Sequence, residues 1–356
     1  MTQHNAQDMA AALAEQVRAA DRDGTPLRFV GGDTKAFYGR PVEGRTLSTR
    51  EHRGITYYDP VELIVSVRAG TPLAELEAAL AEQGQMLACE PPHFGDAATV
   101  GGMVASGLSG PRRPWAGSVR DFMLGARVIN REGVEQRFGG QVMKNVAGYD
   151  LSRLMAGAQG TLGLLSEVTL KVLPKPGTSR SLRLELPLDV ALEKLADWGR
   201  KPMPISAAAW LDGALHLRLE GGPSSVAATA ERLGGDDLEA GFWTDLREHR
   251  LPFFTAGEAP LWRLSLPANT PPLDLPGEPP VLYDWAGTQR WVKSDADAEA
   301  IRAACARVGG HATCLTPGAA EPFTPLTPAL LGYHRRLKAE LDPHGIFNPG
   351  RLYAEV

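Results

Sequence analysis

Cysteine is scarce in this 356-residue chain: there are three, Cys89, Cys305 and Cys314, and no two form a C-x-x-C pair. An odd count without paired spacing argues against a disulfide framework and a cysteine-based zinc cage, so a reducing, cytoplasmic setting is expected. A basic excess is also lacking. Lys and Arg number 37 against 42 Asp and Glu, a formal charge of -5, where a phosphate-backbone binder needs the opposite balance; no nucleic-acid partner is expected. No apolar run approaches the roughly 18 residues of a membrane span. Residues Met1 to Ala12 lack the basic start and apolar core of a signal peptide. The expectation is a chain neither secreted nor membrane-spanning, with peripheral attachment to the inner membrane through a partner subunit left open.

Several catalytic signatures are missing too. There is no G-x-x-x-x-G-K-[ST] loop, no G-x-G-x-x-G opening a βα unit, no H-E-x-x-H and no G-x-S-x-G elbow. P-loop, dinucleotide-Rossmann, zincin and serine-hydrolase readings fall with them. What remains is ordinary globular composition, 43% hydrophobic and 22% charged, at a length that suggests two domains.

Glycine is abundant, 39 residues, clustered at 31–32, 101–102, 107–110, 117, 139–140 and 157–163. Glycine admits positive φ and close backbone approach to a ligand, so clusters on separate loops suggest that these loops converge on one molecule. Between them the first part alternates helix and strand. Met9, Leu13 and Val17 mark a helix, Pro26–Val30 and Glu62–Val67 read as strands, and Thr71 caps a helix from Pro72 to Gln83. A hairpin turns at Arg131–Gly133, a short helix follows Asp150, and a strand runs from Gly163 to Leu173. Pro174–Gly177 punctuates the chain. Beyond it, alternating Leu182/184/186 and Leu215/217/219, helices at 190–198, 225–233 and 296–308, and a hairpin at 281–292 read as an antiparallel α+β domain. The Pro-rich stretch 317–328 reads as a linker returning the chain to its first domain. The expected division is 1–175, 176–327 and a returning segment 328–356.

The ordered motifs are Arg28–Thr34 (RFVGGDT), Thr99–Gly107 (TVGGMVASG), Gly117–Gly125 (GSVRDFMLG), Lys144–Leu151 (KNVAGYDL), Gly157–Val168 (GAQGTLGLLSEV) and Leu341–Gly350 (LDPHGIFNPG). In this order and spacing the set resembles the vanillyl-alcohol oxidase and p-cresol methylhydroxylase flavoproteins and, among them, is similar to the FAD-binding subunits of bacterial glycolate oxidases. The resemblance implies an α+β fold: a two-part PCMH-type FAD-binding domain with a small antiparallel α+β cap domain.

It also implies a site. Gly31, Gly32, Asp33 and Thr34 form one side of a pyrophosphate nest, and Thr99, Val100, Gly101 and Gly102, at a helix start, the other. Ser106, Gly107, Gly110, Gly117, Ser118 and Asp121 line flavin and ribose. Gly160, Thr161, Gly163 and Leu164 meet the adenine, Pro91 and Pro92 sit near the isoalloxazine, and Asn348 is a further cofactor-binding residue, beside the reading of a terminal turn. Singly, each glycine cluster reads as a tight turn as readily as a contact; Asp150 reads as a helix cap, and Lys144 and Tyr149 as solvated and core residues. His93, after Pro91-Pro92, is the weak candidate for a base, beside the reading of a solvated loop histidine. The tryptophans of the second half read first as packing.

Two departures bear on function. The first glycine loop carries Asp33 and no histidine, so FAD is expected to be noncovalent. No H-x-G-D-G-N-x-H metal motif of the 2-hydroxy-acid-oxidising relatives is present, so no metal is expected. The resemblance implies glycolate or D-lactate as the small 2-hydroxy acid of the system. It also implies a larger catalytic flavoprotein subunit and an iron–sulfur subunit as partners. An autonomous FAD-dependent dehydrogenase and a non-flavin protein retaining the fold stand beside that reading.

Overall fold

The computed structural model describes residues 7–140, 150–239 and 241–356. They form two compact units: residues up to 109, 117–174 and 325–356 make the first, and 110–116 with 175–324 the second. The short segment Gly110–Ala116 thus leaves the first unit and is built into the second.

In the first unit, helix Ala10–Asp23 buries Leu13, Val17 and Ala20, one face at i, i+4 and i+7. It stops at Gly24, whose left-handed φ of 59° directs its N–H to Ala20 and Asp21 carbonyls. The buried face packs on Leu27, Leu47, Ile129, Leu164 and Phe347, a core that joins the chain's early, middle and late parts. Strand Leu27–Val30 pairs in parallel with Arg45–Ser48 and meets Phe347 on an isolated parallel bridge.

A five-stranded sheet lies beside this pair in the same unit. Its central strand Leu164–Lys171 runs antiparallel to Ile64–Arg68 and Met123–Ile129, with Ile55–Asp59 and Glu135–Gly139 at the edges. The central strand is buried along most of its length, with Leu164, Leu165, Val168 and Leu170 in the core. Thr169 of this strand and Ser66 of its neighbour, both buried, satisfy each other at 2.8 Å. The helix at 72–83 begins at Leu73, with Pro72 as its cap. Thr71, expected in that place, is instead buried and binds backbone: Gly54 N–H donates to Oγ1 and Oγ1 donates to Arg68 O.

In the second unit an eight-stranded antiparallel sheet takes the order Asp236–Asp237, Thr178–Glu185, Ala214–Gly221, Ile205–Leu211, Val281–Asp284, Gln289–Lys293, Leu261–Ser265, His311–Cys314. Its halves meet at one bridge, Trp210 to Tyr283, whose rings pack edge to face. Each half has its own core. One centres on Leu182, Leu215, Leu217 and Val226, the other on Trp262, Leu264, Val292 and Ile301. Helices Leu188–Trp198, Pro223–Leu233 and Ala298–Ala306 supply the facing residues.

The expected hairpin at 281–292 is present, with Asp284 opposite Gln289. Strand Leu261–Ser265 and helix Phe242–Arg247 are additions to the sequence reading. Within the stretch read as linker, Phe323 bridges to Thr313, and helix Pro328–Leu341 follows with Thr327 as N-cap.

Candidate flavin site

A cavity of about 290 Å³ opens in the first unit where strand Leu27–Val30 runs into Gly31–Thr34. Gly31 and Gly32 are required by proximity rather than by φ. A methyl on Gly31 would lie 2.3 Å from Thr99 Oγ1, and one on Gly32 1.5 Å from the Ala97 carbonyl oxygen. Asp33 follows in the left-handed region at φ 59°. The backbone N–H groups of Gly31, Gly32, Asp33 and Thr34 donate to no acceptor among the described residues. Consecutive donors on a loop that turns through left-handed backbone form a concave anion nest. Arg28, Lys35 and Arg351 also line the cavity, against one carboxylate, Asp33, which pairs with Arg28 at 2.5 Å. Donors without acceptors and a cationic lining fit the pyrophosphate of FAD.

The second glycine loop is built differently from the expectation. Thr99 caps helix Val100–Ser106, taking the Gly102 N–H on Oγ1 at 3.2 Å, while Val100 N–H donates to Thr71 O and Gly101 N–H to Ala69 O. The N–H groups of Val100, Gly101 and Gly102 thus have acceptors within the protein, and this side also supplies close packing. A methyl on Gly101 would stand 2.7 Å from Ala69 Cβ. Thr99, Gly101, Gly102 and Ser106 line the cavity; Val100, pointed into the core, does not.

The third wall is the 158–165 segment with Asn348. Gly160, Gly163 and Leu164 line the cavity, whereas Thr161 lies behind it, hydrogen-bonded to Ala158 O. The Thr161 carbonyl takes a bond from Lys338 Nζ, which also binds Phe347 O and pairs with buried Asp342 at 2.7 Å. Burial lowers the Lys338 pKa against the opposing pull of Asp342. Asn348 stitches two walls together: Oδ1 accepts the Phe29 N–H at 2.8 Å and Nδ2 donates to the Gln159 carbonyl at 2.6 Å. Gln159 and Arg351 are lining residues that sequence reasoning passed over. Gln159 sits at φ 49° between Gly157 and Gly160, the one signal that marks it.

The remaining expected residues lie off this lining. Gly107 is the left-handed C-cap of helix Val100–Ser106. Gly117, Ser118 and Asp121 build a local cap in which Ser118 N–H and Oγ both donate to Asp121 Oδ2 at 2.8 Å. Gly110 belongs to the second unit, where its carbonyl accepts Trp285 Nε1. Pro91 and Pro92 are buried. His93 places Nε2 3.0 Å from Glu77, and its carbonyl accepts Thr34 Oγ1 at 2.7 Å, so it buttresses the first glycine loop. Asp150 caps helix Leu151–Leu154 through the Arg153 N–H. Lys144 to Tyr149 lie outside the described residues.

In the second unit, Arg112 pairs with Glu220, and Arg218 binds Ser206 Oγ at 2.9 Å and approaches Glu220 at 3.5 Å. His216 stacks on Phe242 and His249 on Phe254; burial pushes their pKa values down to about 4 and about 3, so both are neutral at pH 7. The three cysteines are buried free thiols pushed upward by desolvation, Cys305 to about 11, which leaves no thiolate near neutral pH. Among the described residues no group of three or more His, Cys, Asp or Glu is placed to hold a metal, and no helix is long and apolar enough to cross a membrane.

Residues 8–139 match the family model described as FAD binding domain. The chain is 55% identical over 349 residues to the glycolate oxidase subunit GlcE of Escherichia coli (strain K12), covering 98% of this chain and 99% of that one. It is 32% identical over 159 residues to the glycolate oxidase subunit GlcD of Bacillus subtilis (strain 168), covering 44% of this chain and 34% of that one. Among solved structures, p-cresol methylhydroxylase with substrate bound superposes with a TM-score of 0.71 at 14% identity, over 98% of this chain and 87% of that one. That likeness establishes the α+β, PCMH-type fold.

Proposed function

The chain belongs to the family of glycolate oxidase subunit GlcE, and from that premise we propose that it is the FAD-bearing subunit of a glycolate oxidase complex. In that complex glycolate or D-lactate is oxidised to its 2-oxo acid, and electrons pass through flavin to an iron–sulfur partner. A larger flavoprotein related to GlcD supplies the substrate chemistry, and attachment to the inner membrane, where it occurs, is through the assembly.

The observation that carries this reading is the row of unaccepted N–H groups from Gly31 to Thr34 beside a cationic lining. Bound noncovalently, FAD supplies a two-electron acceptor that can release electrons singly. The chain's own part is to hold it. Gly31–Thr34 would donate to the pyrophosphate, Gly160, Gly163 and Leu164 would leave room for the adenine, and Asn348 keeps the two walls in register. The second unit's side chains support placing the substrate chemistry on a partner. Arg112, Arg218 and Glu220 satisfy one another, and His216 and His249 are neutral and ring-packed. His93, beside Glu77 and with its carbonyl accepting Thr34 Oγ1, supports a scaffold role in this reading.

The test is an anaerobic visible spectrum of the purified chain with glycolate or D-lactate, alone and with the partner subunits. Bleaching only in the presence of partners supports the proposal. Bleaching by substrate alone makes the chain an autonomous dehydrogenase and overturns it.

A further inference from the structure

The turn at 348–351 grips both loops that wall the cavity. Arg351 fans its guanidinium across the inside of the 35–40 loop. Nη1 donates to Arg40 O at 2.6 Å, and Nη2 to the carbonyls of Tyr38 at 2.6 Å, Ala36 at 3.1 Å and Lys35 at 3.3 Å. Nε donates to Gln159 Oε1 at 2.9 Å, and the Arg351 carbonyl accepts the Arg40 N–H. Gln159 is held from two more sides: its carbonyl takes Asn348 Nδ2, and its N–H donates to Ala105 O on helix Val100–Ser106.

Four carbonyls of one loop turned toward a single point repel each other unless a cation compensates them, and a planar fan of donors can reach all four where an ammonium cannot. Gly39, at φ 110°, fits the gap: a methyl there would lie 2.5 Å from Gln159 Oε1 and 3.0 Å from Arg351 Nε. These contacts join segments more than a hundred residues apart that line the same cavity as the Gly31–Thr34 nest.

We propose that Arg351 is the positioning residue of the flavin cradle. It gathers the Lys35–Arg40 loop against Gln159, so that the N–H groups of Gly31–Thr34 are already arrayed when the cofactor enters. The donors described for it go to protein, and it acts on FAD through the loop it shapes. The inference rests on the reading that the cavity holds FAD, and deepens it by locating the preorganisation that makes binding tight.

The experiment measures FAD affinity of the deflavinated full chain by flavin fluorescence, together with amide exchange over residues 33–40 in the absence of FAD. Arg351→Met is expected to weaken FAD binding by about tenfold or more, and Arg351→Lys by less. Arg351→Ala is expected to regain affinity with added guanidinium but not with an alkylammonium ion, a response that general loss of packing would not give. Exchange over 33–40 should accelerate in Arg351→Met. Gly39→Ala keeps the arginine but wedges it from Gln159, and should weaken FAD in the same direction; it decides the matter if the arginine variants do not fold. Wild-type affinity in Arg351→Met, or in Gly39→Ala, overturns the assignment. A wild-type chain that takes up no FAD contradicts the cofactor reading instead.

Discussion

Gly32 and Ala97 pack backbone to backbone: a methyl on Gly32 would stand 1.5 Å from the Ala97 carbonyl oxygen and 2.3 Å from the carbonyl carbon. The obstruction is main chain, and the Ala97 segment is fixed by Ala98 N–H to Gly95 O and Leu73 N–H to Ala98 O. Gly32→Ala must therefore displace the nest. A cost of about 3 kcal/mol in stability is expected, with loss of FAD from the purified protein. Thermal melts and the visible flavin band check both, and a yellow variant melting with the wild type would refute the geometry.

Asn348 uses both ends of its amide, accepting from Phe29 N–H and donating to Gln159 O while buried at 6% exposure. Asn348→Asp keeps the acceptor and turns the donor into a second acceptor facing a carbonyl. It is expected to cost about 2 kcal/mol and to weaken FAD binding. Asn348→Ala should leave two groups unmet with less repulsion. Urea unfolding and FAD titration of the pair measure the difference.

The Arg112–Glu220 pair ties the 110–116 segment into the second unit, with side chains 10% and 8% exposed. Arg112→Met removes the shorter of the two arginine contacts to the buried Glu220 carboxylate, and should destabilise the chain by about 3 kcal/mol. The double change Arg112→Met with Glu220→Gln removes the stranded charge and should recover most of that loss. A double-mutant cycle in denaturant checks it; strictly additive losses would show that the pair is not coupled.

His216 sets a pH dependence. Its folded-state value, pushed by burial to about 4, lies below the 6.5 of an exposed imidazole. Between these values the unfolded chain binds more protons than the folded one, so stability rises with pH across that window and levels off above it. The contribution lost on going from pH 7 to pH 4 is about 3 kcal/mol. His249, pushed to about 3, acts in the same direction. Denaturant midpoints in a pH series should show the slope, and His216→Phe should flatten it.

The first glycine loop was legible in the sequence because close backbone approach leaves its mark as a residue type: nothing but glycine fits at Gly32. Helix Ala10–Asp23 and the strand at 215–219 were legible from periodicity, and the strand at 164–171 from its β-branched and leucine-rich composition. A sequence does not show where an N–H goes: those of Val100, Gly101 and Gly102 are accepted by Thr71, Ala69 and the Thr99 side chain. Arg351 was missed because its partners lie 192 to 316 residues away in sequence. Helix Pro328–Leu341 was hidden for another reason: Lys338 is its one buried residue, so it has no apolar stripe to read.

The proposed function stands on the Gly31–Thr34 nest binding the diphosphate of FAD. The most direct measurement is an equilibrium titration of the deflavinated chain with FAD and, separately, with FMN, which lacks the adenylate half. The account predicts one FAD bound per chain with restoration of the visible band, much weaker FMN uptake, and loss of FAD binding in Gly32→Ala. Failure to bind FAD, or equal affinity for FAD and FMN, would contradict it.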